Sequence, residues 1–279
     1  MRKQLGNKCI SYDWLRGIWT VGIASVTIFS ISIIMIPLNN LKPVPNFMVI
    51  LALLTLLVMV LLRIPNRWFP GGLFFGLVTK WSRLVVMPAL LIAASSEFNF
   101  FDSWRIPPGA AFWPLLMALG GITLWCILQL TFRPPALFFL LKRSQAIRVV
   151  IFAWLFHLFH NGLPEEIFFR VILQTWLVSM VGFWFSGVIV ASLIFGFLHL
   201  FWKGNQSWGT AIRNLLLIQA PLGALLGTLW YATFWLPGIA LCHAFVDTAV
   251  GLDRAAARFL SKRVPMGKAS APRFWRNLS

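Results

Sequence analysis

The sequence predicts an all-α fold, a polytopic transmembrane helix bundle of about eight spans, and three observations predict it. The chain of 279 residues is 59% hydrophobic and only 11% charged, where a soluble domain carries about 25% charged residues; its mean hydropathy is +0.81. Its apolar residues fall in runs close to the roughly 20 that a helix needs to cross a bilayer. Its basic residues gather between those runs and at the ends, the bias that keeps Lys and Arg on the cytoplasmic side. A net charge of +17 would by itself suggest nucleic acid, but its placement in connectors and tails makes the lipid bilayer the partner and leaves nucleic acid out.

The runs give the elements in order. Spans are expected at about 17–37, 44–62, 84–96 and 110–131. Between them, 63–83 is a basic connector with Arg63, Arg67, Lys80 and Arg83 around a Pro-Gly-Gly turn, and 97–109, with Glu97, Asp102 and Arg105, reads as external. A second basic connector holds Arg133, Lys142, Arg143 and Arg148. Then come 149–161, short for a crossing, and 164–181, 183–202, 214–231 and 236–252. Charge bias puts both termini inside, which needs an even number of spans, so 149–161 reads as a buried partial helix. Arg2, Lys3, Lys8 and Arg16 precede the first run, which is too long for a signal peptide and reads as an uncleaved span. The expectation is a single integral membrane domain over 1–279: generic helices in 1–144, a core in 145–255, and a basic cytoplasmic tail in 256–279. It would be a multi-pass protein of the plasma (inner) membrane, its tail lying against anionic lipid.

Few residues are left for chemistry. The chain has seven acidic residues, and Glu165 and Glu166 stand side by side in Leu163-Pro164-Glu165-Glu166-Ile167-Phe168-Phe169-Arg170. A charge at the bilayer centre costs roughly 2.5–3.5 kcal/mol on insertion scales, so the pair needs a reason. Asn161 and Gly162 read as turn residues, and Pro164 suits the first turn of a helix. The carboxylates would then lie where free N–H groups and the helix dipole favour negative charge. Glu166 and Arg170 are four apart with the acid first, the better order for an ion pair. Glu165 points about 100° away around the helix and has no partner on its own helix, which makes it a candidate general base.

Two histidines sit late in apolar runs, in Phe195-Gly196-Phe197-Leu198-His199 and Leu241-Cys242-His243-Ala244-Phe245-Val246-Asp247. His243 and Asp247 share a helical face. Ionisable groups within membrane helices face inward, so Glu165, His199, His243 and Asp247, on three helices, should converge. His157 and His160 share a face just before the Glu pair and are expected to pack or hydrogen-bond. Cys9, Cys126 and Cys242 are too few and scattered for disulfides or a zinc knuckle and read as small apolar fillers. Many of the fifteen tryptophans fall near span ends, as an aromatic belt does. Gly182, Gly187, Gly196, Gly223 and Gly227 allow close helix contact, and Gly223-x-x-x-Gly227 suits internal packing or, less well, a dimer face. Gln219, polar in an apolar run, could line a cavity.

Taken in order, Glu165-Glu166-x-x-x-Arg170, Phe195-x-x-x-His199 and His243-x-x-x-Asp247 resemble the three signature motifs of the CAAX prenyl endopeptidase and bacteriocin-processing (Abi, or CPBP) family of intramembrane proteases, over about residues 145–255. The first half matches only as generic membrane helix. Two positions depart: Val171 stands where the family often has Gly, and Asp247 where it frequently has Asn. An ionised Asp cannot donate a hydrogen bond, which puts an amide-like donor role there in doubt. The resemblance implies peptide-bond hydrolysis in the membrane, in a membrane-anchored protein or peptide, prenylated tails being one possibility. It implies Glu165 as the base that activates water, with His199 helping to hold that water. His243 and Asp247 would stabilise the oxyanion, and Glu166 with Arg170 would keep the site in shape.

Three other readings stay open. Two histidines with carboxylates also suit zinc, although the chain has no H-E-x-x-H; the resemblance favours a glutamate mechanism with no cofactor. A transporter or channel with a carboxylate–histidine proton relay would predict broken helices in both halves, and the first half has no ionisable counterpart. A non-catalytic binding or immunity member of the same family is the third.

Overall fold

The computed structural model describes residues 17–32, 49–50, 81, 103–105, 109, 112–132, 146–200 and 207–263, and all regular structure among these is helical. The expected spans at 44–62 and 84–96 and the connector at 63–83 lie almost wholly outside the described residues. Among the described residues, six helices carry the fold. They are α1 (Gly17–Ser32), α2 (Phe112–Phe132), α3 (146–181), α4 (Trp184–Leu200), α5 (Trp208–Thr233) and α6 (Leu236–Arg263). Among the described residues, α5 alone is long and apolar enough by itself to cross a bilayer, with shorter apolar helices at Gly17–Ser32, Phe112–Leu128, Trp184–Leu200 and Leu236–Gly251.

The first correction concerns α3. The sequence suggested two pieces, 149–161 and 164–181, split by an Asn161-Gly162 turn. Instead the backbone stays right-handed helical from Ala146 to Val181, widening into π-helix at Leu158–Gly162 and again at Ile167–Gln174. A proline inside an α-helix removes one hydrogen bond and presses its ring on the carbonyl four residues back. The π segment just before Pro164 absorbs that misfit, as π-bulges do at helix irregularities. Glu165 and Glu166 therefore sit in mid-helix, away from any free N–H groups of a helix start.

Gly162 works as a contact residue. A Cβ there would lie 2.7 Å from the carbonyl oxygen of Ala240, so only glycine lets α3 and α6 approach this closely beside the Glu pair. α3 ends at Gly182, whose φ of 71° is the left-handed value glycine accepts at a helix C-terminus. α4 then turns back along α3.

α4 and α5 form a close apolar seam. A Cβ on Gly223 would crowd Phe195 and Ser192, and one on Gly227 would lie 2.5 Å from Gln174 Oε1 and 3.1 Å from Val188. The Gly223-x-x-x-Gly227 pattern thus serves internal packing. α5 opens on Ser207, whose hydroxyl accepts the Thr210 N–H, and passes through a π segment at Leu215–Gln219. It stops at Phe234, a bulky residue in the left-handed region with φ 51°. That costly conformation is held by its N–H bond to the Trp230 carbonyl, 2.8 Å, and by its ring packing on Trp230, 4.6 Å between centroids. The tight joint sets where α6 starts and hence the height of His243.

α6 packs along α3 and α2, and α1 is tied to α2 by Trp125 Nε1 donating to Thr20 Oγ1, 2.7 Å. The apolar core runs through Trp125, Phe168, Ile172, Leu225, Leu229 and Trp230, all nearly inaccessible. Among the largest fully buried side chains is one ion, Arg170. α6 continues as helix to Arg263, into the segment read from sequence as the start of the tail.

Candidate active site

The site lies where α3 and α6 run antiparallel, Gly162 against Ala240. Glu166 is at its closed end. One of its oxygens, Oε2, accepts from Arg170 Nε at 2.8 Å, and the other, Oε1, accepts from His243 Nδ1 at 2.6 Å. Glu166 and Arg170 have no solvent-exposed side-chain surface. The i,i+4 ion pair expected from sequence is present, but it is not private, because α6 supplies a second partner. The guanidinium also lies 5.5 Å from the ring centroid of Phe195.

Since a carboxylate only accepts, Nδ1 of His243 must carry a proton, and Nε2 turns to the other side. There Nε2 lies 3.7 Å from Glu165 Oε2 and 3.9 Å from Asp247 Oδ2. Glu165 thus meets His243 from α6. Both separations exceed a direct hydrogen bond and suit a bridging water. Glu165 is buried, and Asp247 is partly open at 26% side-chain exposure. The seam therefore grades from sealed at Arg170 to accessible at Asp247.

His199 enters from α4. Its Nδ1 lies 2.8 Å from the Phe195 carbonyl, an acceptor, so Nδ1 donates and Nε2 is the acceptor nitrogen of the neutral ring. Its imidazole packs on Phe195 at 4.6 Å, and the same ring meets His243 edge-on at 5.9 Å. One phenylalanine therefore spaces the two imidazoles.

A residue that sequence reasoning took for a turn also belongs here. Asn161 Nδ2 donates to Asp247 Oδ2 at 2.5 Å, and Asn161 Oδ1 lies 2.7 Å from His160 Nδ1. His157 Nδ1 is 3.9 Å from the same Asp247 oxygen. His157, Asn161 and Glu165 are spaced by four, a polar stripe on one face of α3. That spacing was the available signal, and it was hidden because Asn-Gly before Pro reads as punctuation. Among the described residues, no group of three or more His, Cys, Asp or Glu could hold a metal ion.

Three carboxylates and two imidazoles at the meeting of three apolar helices match the ordered motifs noted from sequence. A comparison with family models matches residues 147–249 to the type II CAAX prenyl endopeptidase, Rce1-like, family. Residues 147–249 are thus similar to an Rce1-like domain. That match supports a CAAX-type protease, a hydrolase, acting on a peptide or prenylated protein, and the family is membrane-embedded. No curated protein and no solved structure shows a significant match to the chain.

Proposed function

We propose that this chain is an intramembrane endopeptidase that hydrolyses a peptide bond in a membrane-anchored protein or peptide, with water activated by Glu165. The observation that carries this reading is His243, held by Glu166 through Nδ1 while Nε2 faces Glu165 and Asp247. A water at that corner lies within reach of a carboxylate that can take its proton. His199, with Nε2 as acceptor, holds the same water. The water oxygen attacks the scissile carbonyl carbon as Glu165 removes a proton. His243, protonated on both nitrogens between Glu166 and the Glu165–Asp247 corner, gives its Nε2–H to the developing oxyanion, and collapse breaks the C–N bond as Glu165 passes its proton to the leaving nitrogen. Glu166 and Arg170 fix His243 in place. Asp247, which accepts from Asn161, acts as a carboxylate beside His243 and gives no bond to the oxyanion.

The chemistry needs no cofactor, and the protein is multi-pass with both ends in the cytoplasm. Substrates with a prenylated C-terminal tail fit the family, and a peptide with a hydrophobic anchor fits the bilayer equally. The test is to incubate the purified protein in detergent with a farnesylated CAAX peptide and with an anchored peptide in ¹⁸O-water. The account expects one cleavage whose new C-terminus carries ¹⁸O, unchanged by a strong zinc chelator. Loss of cleavage with chelator and its return with zinc would replace the glutamate mechanism by a metal one. Binding of either peptide without a product would make the chain a non-catalytic member, and solute uptake into proteoliposomes without proteolysis would make it a transporter.

A further inference from the structure

Asp247 is the open end of the site, and what orients it is not part of the three motifs. Its Oδ2 oxygen gathers Asn161 Nδ2 at 2.5 Å and the imidazoles of His157 and His243 at 3.9 Å each. Only the Asn161 contact is within hydrogen-bond distance. The Asn161 amide is itself oriented, because its oxygen lies 2.7 Å from His160 Nδ1, and the His160 ring is stacked on Phe156 at 4.9 Å. A carboxylate with free rotation about its last bond would not keep one oxygen facing His243 Nε2. This one is clamped from the opposite helix, next to Gly162, where α3 and α6 touch backbone to backbone.

The geometry points to Asn161 as a positioning residue of the reaction, acting through Asp247 on His243. This inference rests on the protease reading. Asn161 fixes the Asp247 oxygen that lies beside the Nε2 atom facing the reacting carbonyl, so it sets how charge is presented to the oxyanion. Its effect runs through Asp247 and not through the reacting atoms. A lost hydrogen bond to a charged group then appears in turnover rather than in substrate binding, at about ten- to a hundredfold in rate.

The experiment measures kcat and KM of wild type, Asn161→Ala, Asn161→Asp, Asp247→Asn and the exchanged double variant Asn161→Asp/Asp247→Asn, with thermal unfolding of each in the same detergent. Asn161→Ala is expected to lower kcat about ten- to a hundredfold with KM within about twofold and its melting point near wild type. Asn161→Asp sets two carboxylates against each other and should lose more. The double variant restores an amide–carboxylate pair across the helices and should regain at least about tenfold over Asn161→Asp. Wild-type kcat in Asn161→Ala, or a double variant no better than Asn161→Asp, overturns the positioning role while leaving the protease reading standing. No cleavage by the wild type itself overturns that reading and this role together. A fall in kcat matched by an equal rise in KM and a collapsed melting transition marks Asn161 as structural only, which also overturns it.

Discussion

The α3–α6 contact and the α4–α5 contact are both close helix pairings, and they are built from opposite materials. Between α4 and α5 the facing residues are small, Ser192, Gly196, Gly223 and Gly227, and Ser192 turns its hydroxyl back to the Val188 carbonyl of its own helix at 2.6 Å. Association there rests on dispersion over closely approached backbones, as in membrane helix pairs with small residues. Between α3 and α6 one glycine, Gly162, gives the same proximity, and the space above it holds Glu165, Glu166, Arg170, His243 and Asp247. Apolar surroundings make that polar seam costly unless each charge has a partner. Glu166 has two direct ones, and Glu165 approaches His243 more loosely, at 3.7 Å. The contrast teaches that the packing seam supplies rigidity and the polar seam supplies reactivity.

The comparison can be broken first at Arg170. Arg170→Leu leaves Glu166 buried with only His243 beside it, and loss of one partner of a buried pair costs about 3–5 kcal/mol. Denaturant unfolding in detergent should show a loss of that size, and a variant as stable as wild type would mean that the ion pair holds nothing together. A milder break lies at the edge of the other seam, where α5 also meets α3. Gly227→Ala sets a methyl 2.5 Å from Gln174 Oε1, and Gln174 is pinned by its Nε2 bond to the Gly227 carbonyl at 2.8 Å. Overpacking of this kind costs about 1–3 kcal/mol, and Gln174→Ala in the same chain should return part of it. The same unfolding assay reads both. The smallest effect is expected at Ser192→Ala, whose hydroxyl satisfies only its own helix. Stability should stay within about 0.5 kcal/mol of wild type, and a larger fall would show that the small-residue seam depends on polar contacts after all.

These differences also explain what could be read from the sequence. Periods within one helix were legible: Glu166 with Arg170 and His243 with Asp247 follow from spacing by four, because one helix fixes that geometry alone. The apolar runs gave α4, α5 and α6 to within a few residues at the ends packed in the core. The α3 continuity was not legible. Asn161, Gly162 and Pro164 each favour a turn locally, and the tertiary contacts of Gly162 with Ala240 and Asn161 with Asp247 override them. The partner of Glu165 was equally hidden, since His243 lies far along the chain and its height depends on the strained Phe234 joint. His199 could be placed on a late apolar helix, but the aromatic ring between it and His243 is a packing outcome. Of the about eight expected spans, those at 44–62 and 84–96 lie almost wholly outside the described residues, and among the described residues one helix is long and apolar enough to cross a bilayer.

The central claim is that Glu165 is the group that takes the proton from water. Turnover of a farnesylated CAAX peptide by Glu165→Gln, with unfolding measured alongside, tests it most directly. Gln keeps the shape and removes the base, so the account predicts a rate lower by about 10²–10⁴ with the unfolding midpoint unchanged. Wild-type turnover by a properly folded Glu165→Gln would contradict it.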